Sequence, residues 1–182
     1  MDVLLREISH SDIEKIRNWR NSENVSKYMY TSNIISKEDQ EKWFNNQKND
    51  ETSLHWIIEY DAKGLGLASL TNIDKIFNSC YWAFYLGDTS LRGVGIGAKV
   101  EYNVLKYVFE TLNLNKLRCE VISFNDRVIK MHEKFGFRRE AFYREHVEKK
   151  GLKHDVVGLA MLKYEWEFLK TNIYERVYRK NK

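Results

Sequence analysis

Proline is absent from this chain of 182 residues, so its turns fall to Gly, Asn, Asp and Ser. Cysteine is nearly absent too. Cys80 and Cys119 are too few for a disulfide framework and lack metal-ligand spacing, which makes them reduced, buried small hydrophobes. His10, His55, His146 and His154 show no ligand spacing either, so no metal is expected. No apolar run approaches the ~20 residues of a membrane helix, and the start Asp2-Val3-Leu4-Leu5-Arg6-Glu7 does not read as a secretory leader. The expectation is a cytoplasmic protein with no membrane partner.

What is present describes an ordinary globular chain, 43% hydrophobic and 31% charged. Its length suits one domain, placed at residues 1–169. The net charge of +4 resides wholly in residues 170–182. A nucleic-acid binder would carry a basic stripe on its folded surface instead, so no nucleic-acid partner is expected and the basic tail reads as a solvated extension. Self-association as a homodimer is left open.

Periodicity divides the chain into a regular series. Val3 to Ile8 reads as a strand, and Ser11-x-x-Glu14 has the form of a capping box for a helix that turns Ile13, Ile16 and Trp19 inward. A short helical piece follows through Val25, Tyr28 and Met29, then a helix from Glu38 to Gln47 capped by Ser36. Leu54–Tyr60 and Leu65–Thr71 read as a hairpin turning at Asp61-Ala62-Lys63-Gly64, and Cys80–Leu86 as a central strand apolar on both faces. A helix from Ile96 to Leu112, a strand from Asn115 to Ile122 and a helix from Asn125 to Phe135 come next. Two strands, Arg138–Glu148 and Asp155–Tyr164, close the series around Lys149-Lys150-Gly151. The order implies an α+β domain with one mixed seven-stranded sheet flanked by helices, and one right-handed parallel crossover within it.

Leu91-Arg92-Gly93-Val94-Gly95-Ile96-Gly97-Ala98 lies between the aromatic strand and a long helix. Alternate glycines at a helix mouth free backbone N–H groups for a pyrophosphate. Gly93-x-Gly95-x-x-Ala98 fits a dinucleotide fingerprint, with Glu120 near the ribose carboxylate's place. Against that reading, six residues separate the strand from Gly93 and no βαβ repeat surrounds it. A glycine-rich helix entry without a ligand is the third possibility. Arg92-x-x-Gly95-x-Gly97 resembles the acyl-CoA motif of the GNAT superfamily of N-acetyltransferases. Asn125-x-x-x-Ile129-x-Met131-His132-Glu133-Lys134-Phe135-Gly136-Phe137 resembles its second signature.

That resemblance implies acetyl-CoA as co-substrate. Tyr85, Leu86 and Gly87 would grip the pantetheine and thioester, Arg92, Gly93, Val94, Gly95, Ile96, Gly97 and Ala98 the pyrophosphate, Asn125 the pantetheine arm and Lys134 a phosphate. His132 stands where the family commonly has a tyrosine that protonates the departing thiolate, and an imidazole can do the same work. Glu120 is a candidate to relay the amine's proton through water; a carboxylate merely paired with Arg118 or a lysine fits as well. Trp19-Arg20-Asn21, Met29-Tyr30 and Tyr81–Tyr85 are similar to acetyltransferases of pseudaminic-acid biosynthesis, which acetylate the 4-amine of UDP-4-amino-4,6-dideoxy-N-acetyl-β-L-altrosamine. Arg20, Asn21, Met29, Tyr30 and Tyr81 would then hold the UDP-amino sugar, an arginine fork on the diphosphate and a ring on uracil. The alternatives are a protein N-terminus or polyamine as acceptor, and a non-catalytic acyl-CoA-binding module.

Overall fold

The computed structural model describes residues 2–88, 90 and 95–179. Seven strands form one sheet: β1 (Leu4–Glu7), β2 (Leu54–Tyr60), β3 (Lys63–Asp74), β4 (Ser79–Leu86), β5 (Lys116–Ile122), β6 (Arg138–Lys149) and β7 (Leu152–Leu162), in spatial order β1-β2-β3-β4-β5-β7-β6. Every neighbouring pair is antiparallel except β4 and β5. The mixed seven-stranded sheet read from the sequence is the one observed.

The antiparallel hairpins turn through a left-handed backbone, which matches the twist of the flanking strands. Asp61 and Ala62 turn β2 into β3 at φ 52° and 56°, and Lys150 and Gly151 turn β6 into β7 at φ 51° and 76°. Between β3 and β4, Asp74 Oδ1 accepts from the N–H groups of Ile76 and Phe77, each at 2.8 Å. A parallel pair needs a crossover instead, and α4 (Ile96–Lys106) supplies it, extended by a π-helical turn at Tyr107–Thr111.

Helices α1 (Ile13–Asn21), α2 (Glu23–Ser26) and α3 (Lys37–Gln47) precede β2, while α5 (Asp126–Phe135) and α6 (Lys163–Tyr174) follow β5 and β7. One side of the sheet packs Trp82, Leu117 and Cys119 with Val100 and Val104 of α4, Ile129 and Phe135 of α5 and Trp166 of α6. A smaller cluster joins Ile16 and Trp19 of α1 to Ile57 and Leu67. Side chains such as Leu70 and Val104, at 0% exposure, each contribute roughly 1.5–3 kcal/mol by leaving water.

Two local expectations are corrected. The cap that opens the first helical segment is Ser9 rather than Ser11-x-x-Glu14. Ser9 donates its N–H and its hydroxyl to Asp12 Oδ2, each at 2.8 Å, and Arg6 pins the same carboxylate through both terminal nitrogens, so the chain turns two residues early. The second concerns the C-terminus. Tyr164 lies in α6, not in the last strand, and α6 runs across the boundary placed at 169/170 into a turn at Glu175–Arg179. Ile173 is 2% exposed, Tyr178 donates its hydroxyl to Asn103 Oδ1, and Lys99 of α4 lies over the Tyr178 ring. Residues 170–179 are therefore a docked element; residues 180–182 lie outside the described chain.

Candidate active site

The parallel strands β4 and β5 share three rungs, Ser79↔Lys116, Cys80↔Leu117 and Tyr81↔Arg118. Beyond Tyr81, β4 keeps to β3 as far as Leu86, while β5 keeps to β7 as far as Ile122. The sheet opens there into a wedge. Backbone groups of β4 that would otherwise complete a ladder face the gap. Because α4 and α5 each follow one of these strands, both helix N-termini lie at the wide end, the usual location of a ligand site in parallel strands.

At that end Gly95 is the residue before α4, with φ 77° and no heavy atom within 4 Å of where a Cβ would stand. Gly97 is close to Met131 of α5 and Phe84 of β4, a Cβ there lying 3.6 Å from each. Ile96 is buried, and Ala98 packs against the core. A helix entry of this shape suits a phosphate. Arg92, Gly93 and Val94 lie outside the described residues. Asn125 precedes α5 with its side chain uncommitted to capping, although its carbonyl accepts from Val128 and Ile129 N–H. Lys134 is exposed in the last turn of α5, about 12 Å along the axis from the first helical residue at 1.5 Å per residue.

Tyr85, Leu86 and Gly87 line the β4 side of the wedge, but the Gly87 N–H is already donated to Leu65 O at 2.9 Å, as is that of Asp88. Gly87 is held by packing as well, since a Cβ there would stand 2.0 Å from Trp19 Cγ. Gly66 is a partner that sequence reasoning missed. Its Cβ would meet Tyr85 O at 2.0 Å, so only glycine lets β3 approach β4 here. The Tyr85 hydroxyl is buried without a hydrogen-bond partner among the described residues. Its burial pushes the phenol above its ordinary range, with Arg20 opposing.

On β5 successive side chains take opposite faces. Leu117, Cys119 and Val121 enter the helix-covered core, while Arg118 and Glu120 are half-buried on the other side. There Tyr30 donates its hydroxyl to Glu120 Oε2 at 2.6 Å. The Arg118 guanidinium lies 4.2 Å over the Tyr81 ring, so Arg118 is not the partner of Glu120. Tyr30 also meets the edge of His146, which contacts Tyr143. Burial first, then Glu120, pushes the Tyr30 phenol upward. Arg20 approaches Thr31 at 3.5 Å and shares charge interactions with Tyr85 and Lys149. Tyr30, Tyr81 and Glu120 thus share this face, and Arg20 adjoins it through Thr31 and Lys149.

Asn21 is not. Its amide is committed to the backbone of Ile35, donating to the carbonyl at 3.0 Å and accepting from the N–H at 2.8 Å. Met29 serves through its carbonyl, which accepts from Lys149 Nζ at 2.5 Å. Lys149, 8% exposed, also donates to Ser26 O and Ser32 Oγ, and so ties the segment bearing Tyr30 to the β6–β7 hairpin. No sequence signal marks Lys149, because its partners lie well over a hundred positions away.

His132 occupies the other side of the wedge, on α5, at 3% exposure. Its Nδ1 lies 2.8 Å from Glu101 Oε1 of α4, and the ring meets Trp82 edge-on. Cys119 of β5 is near enough to influence its charge. Among the described residues no group of three or more His, Cys, Asp or Glu side chains could hold a metal ion, and no helix is long and apolar enough to cross a membrane.

Comparison with known proteins agrees with this geometry. YdaF of Bacillus subtilis, a protein named for ribosomal N-acetylation, is 29% identical over 108 residues, 59% of this chain and 58% of its own length. The acetyltransferase PseH of Campylobacter jejuni is 27% identical over 131 residues, 72% of this chain and 80% of that one. The crystal structure of spermidine N-acetyltransferase from Vibrio cholerae in complex with CoA and spermine superposes with a TM-score of 0.87 at 23% identity, covering 91% of this chain and 98% of that one. The acetyltransferase (GNAT) domain model matches residues 2–138. With that match lying across the wedge, both helix mouths and His132, the chain belongs to the GNAT family of acetyltransferases, enzymes that take their acetyl group from acetyl-CoA.

Proposed function

We propose that this enzyme acetylates the primary amine of a nucleotide sugar, with the 4-amine of UDP-4-amino-4,6-dideoxy-N-acetyl-β-L-altrosamine as the acceptor to test first. The observation that carries the reading is the make-up of the Glu120 face. Glu120 takes the Tyr30 hydroxyl, Tyr81 and Tyr143 act on that same phenol, the Arg118 guanidinium covers the Tyr81 ring, and Arg20 and Lys149 feel each other's charge beside the segment that bears Tyr30. A polyamine groove calls for several carboxylates, whereas a diphosphate calls for cations and a uracil for a flat ring. The similarity to PseH points the same way.

Acetyl-CoA brings a thioester that is already activated, and the residues at hand fit it. The open Gly95 mouth suits its phosphates, and the β5-facing edge of β4 beyond Tyr81 and the Tyr85 hydroxyl, unpartnered among the described residues, supply polar groups along the wedge. What the chain must add is mainly alignment. Glu120, held by Tyr30, accepts the proton that the amine gives up, directly or through a water. His132 is the proton donor for the departing sulfur.

A second reading, a polyamine acceptor, rests on the pairing of Glu120 with aromatic rings, which suits an ammonium group, and on the fold shared with the Vibrio cholerae enzyme. Following thiol release with acetyl-CoA and equal concentrations of the UDP-4-amino sugar, spermidine and an alanine-terminated peptide separates the readings. The expected order has the UDP sugar first in kcat/KM by at least ten-fold. Preference for spermidine or the peptide overturns the nucleotide-sugar assignment while leaving the acetyltransferase chemistry intact.

A further inference from the structure

Glu101 lies on the inward face of α4 at 0% exposure, between Val100 and Val104, which are equally buried. A carboxylate in such a place is costly compared with an apolar side chain of its size, and one buried ion pair rarely recovers that cost in stability. Its Oε1 meets His132 Nδ1 at 2.8 Å, while Oε2 has no partner among the described residues. Glu101 of α4 takes one nitrogen of the imidazole, and Cys119 of β5 and the rings of Trp82 and Phe137, at 5.2 and 5.4 Å, lie beside it. Arg176, over the Phe135 ring, adds a charge that reaches Glu101. Nothing in the sequence signatures marks Glu101, which falls in the middle of an apolar helix.

We propose that Glu101 is a positioning residue for proton transfer: it grips Nδ1, fixes the ring plane, and leaves the proton on the other ring nitrogen as the one delivered toward the wedge. The inference rests on the proton-donor reading of His132 given above. As the amine's nitrogen bonds to the acetyl carbon, the C–S electron pair leaves on sulfur. Sulfur then takes the ring proton, and the neutral imidazole, still held by Glu101, regains a proton from water. An imidazole held this way by a buried carboxylate keeps one orientation and one tautomer through the cycle.

Burial alone would discharge His132, but Cys119 and Glu101 outweigh it and raise the imidazole to about 10. Burial pushes the Glu101 carboxyl upward too, with His132 and Arg176 drawing it back. The pair therefore retains its proton through neutral pH, the state a donor requires.

Glu101→Gln keeps the shape and a hydrogen bond but removes the charge; Glu101→Leu removes both. Two measurements on the full chain decide the matter. The first is the ¹⁵N resonance of the His132 ring as a function of pH, which needs no acceptor; in Glu101→Gln the ring should lose its proton at least one pH unit earlier than in the parent. The second is steady-state turnover with acetyl-CoA and whichever amine serves best. Glu101→Gln should lower kcat by about 10–100-fold with KM for acetyl-CoA changed less than three-fold, and should move the alkaline limb of kcat to lower pH. A His132 titration unchanged by Glu101→Gln overturns the proposal. So does a variant that loses thermal stability but keeps kcat and its pH profile. If His132→Phe leaves turnover intact, the proton-donor reading fails instead, and the ring titration alone then reports whether Glu101 controls the ring.

Discussion

The Tyr30 hydroxyl meets Glu120 Oε2 at 2.6 Å, joining a loop before α3 to the middle of β5 across 90 positions of sequence. A phenol used in this way stays protonated, since burial and Glu120 both oppose its ionisation, and it fixes the carboxylate in one orientation. Glu120→Gln is expected to lower kcat by about 10²–10⁴-fold, the range of a lost general base, while coenzyme A affinity by calorimetry changes less than three-fold. Tyr30→Phe keeps the carboxylate and should cost about ten-fold, mainly in KM for the amine. Full activity in Glu120→Gln would remove it from proton transfer.

Lys149 closes the same face with donations to Met29 O, Ser26 O and Ser32 Oγ. Lys149→Met leaves these acceptors without their cation, at a cost of about 1–3 kcal/mol. The urea midpoint should fall, and KM for the amine should rise more than KM for acetyl-CoA. Equal changes in both would show that Lys149 does not shape the acceptor side.

Gly87 has no room for a methyl group beside Trp19, whose Cγ, Cδ1 and Cβ would stand at 2.0, 2.2 and 2.6 Å. Gly87→Ala should destabilise the fold by about 1–3 kcal/mol, a fall of roughly 2–12 °C in Tm for a chain of this size. A companion change in Trp19 to a smaller side chain should recover part of the loss.

Acid should weaken the fold in two stages. His55 is pushed down to about 4 by burial, with Asp50 opposing, so its folded pKa lies below the unfolded value near 6.5. The stability it contributes is complete above pH 6.5 and is lost as pH falls toward 4. Asp12, raised by burial but lowered further by Arg6 and Ser9, settles at about 2, so its contribution is complete above about 3.9 and lost between there and 2. Urea midpoints at pH 7, 4 and 2.5 should fall stepwise, and Asp12→Asn should shrink the lower step while leaving the upper one unchanged. An unchanged lower step in that variant would detach it from the Arg6–Asp12 pair.

Much of the sheet was legible because its signals are local. The left-handed residues at 61–62 and 150–151, the apolar stripe of α4 and the Gly136 end of α5 each announce themselves within a few positions. What stayed hidden depends on distant partners. Ser9 outcompetes Ser11 as a cap only because Arg6 holds Asp12, and no window around residue 11 contains that fact. The basic composition of residues 170–182 concealed Ile173 and Tyr178, which dock on α4. Of the candidate site, His132, Glu120, Tyr30 and Arg20 carried signals of their own. Glu101, Lys149 and Gly66 acquire meaning only when another strand or helix arrives beside them.

The three rungs between Ser79–Tyr81 and Lys116–Arg118 are the sole strand pairing that joins the two halves of the sheet among the described residues. A ligand lying in the gap would act as a keystone, bridging the two strand edges that face each other across it. Its arrival should slow deuterium uptake at residues 82–86 and 119–122 on both banks at once, so that saturation and mechanical unity of the molecule become the same event.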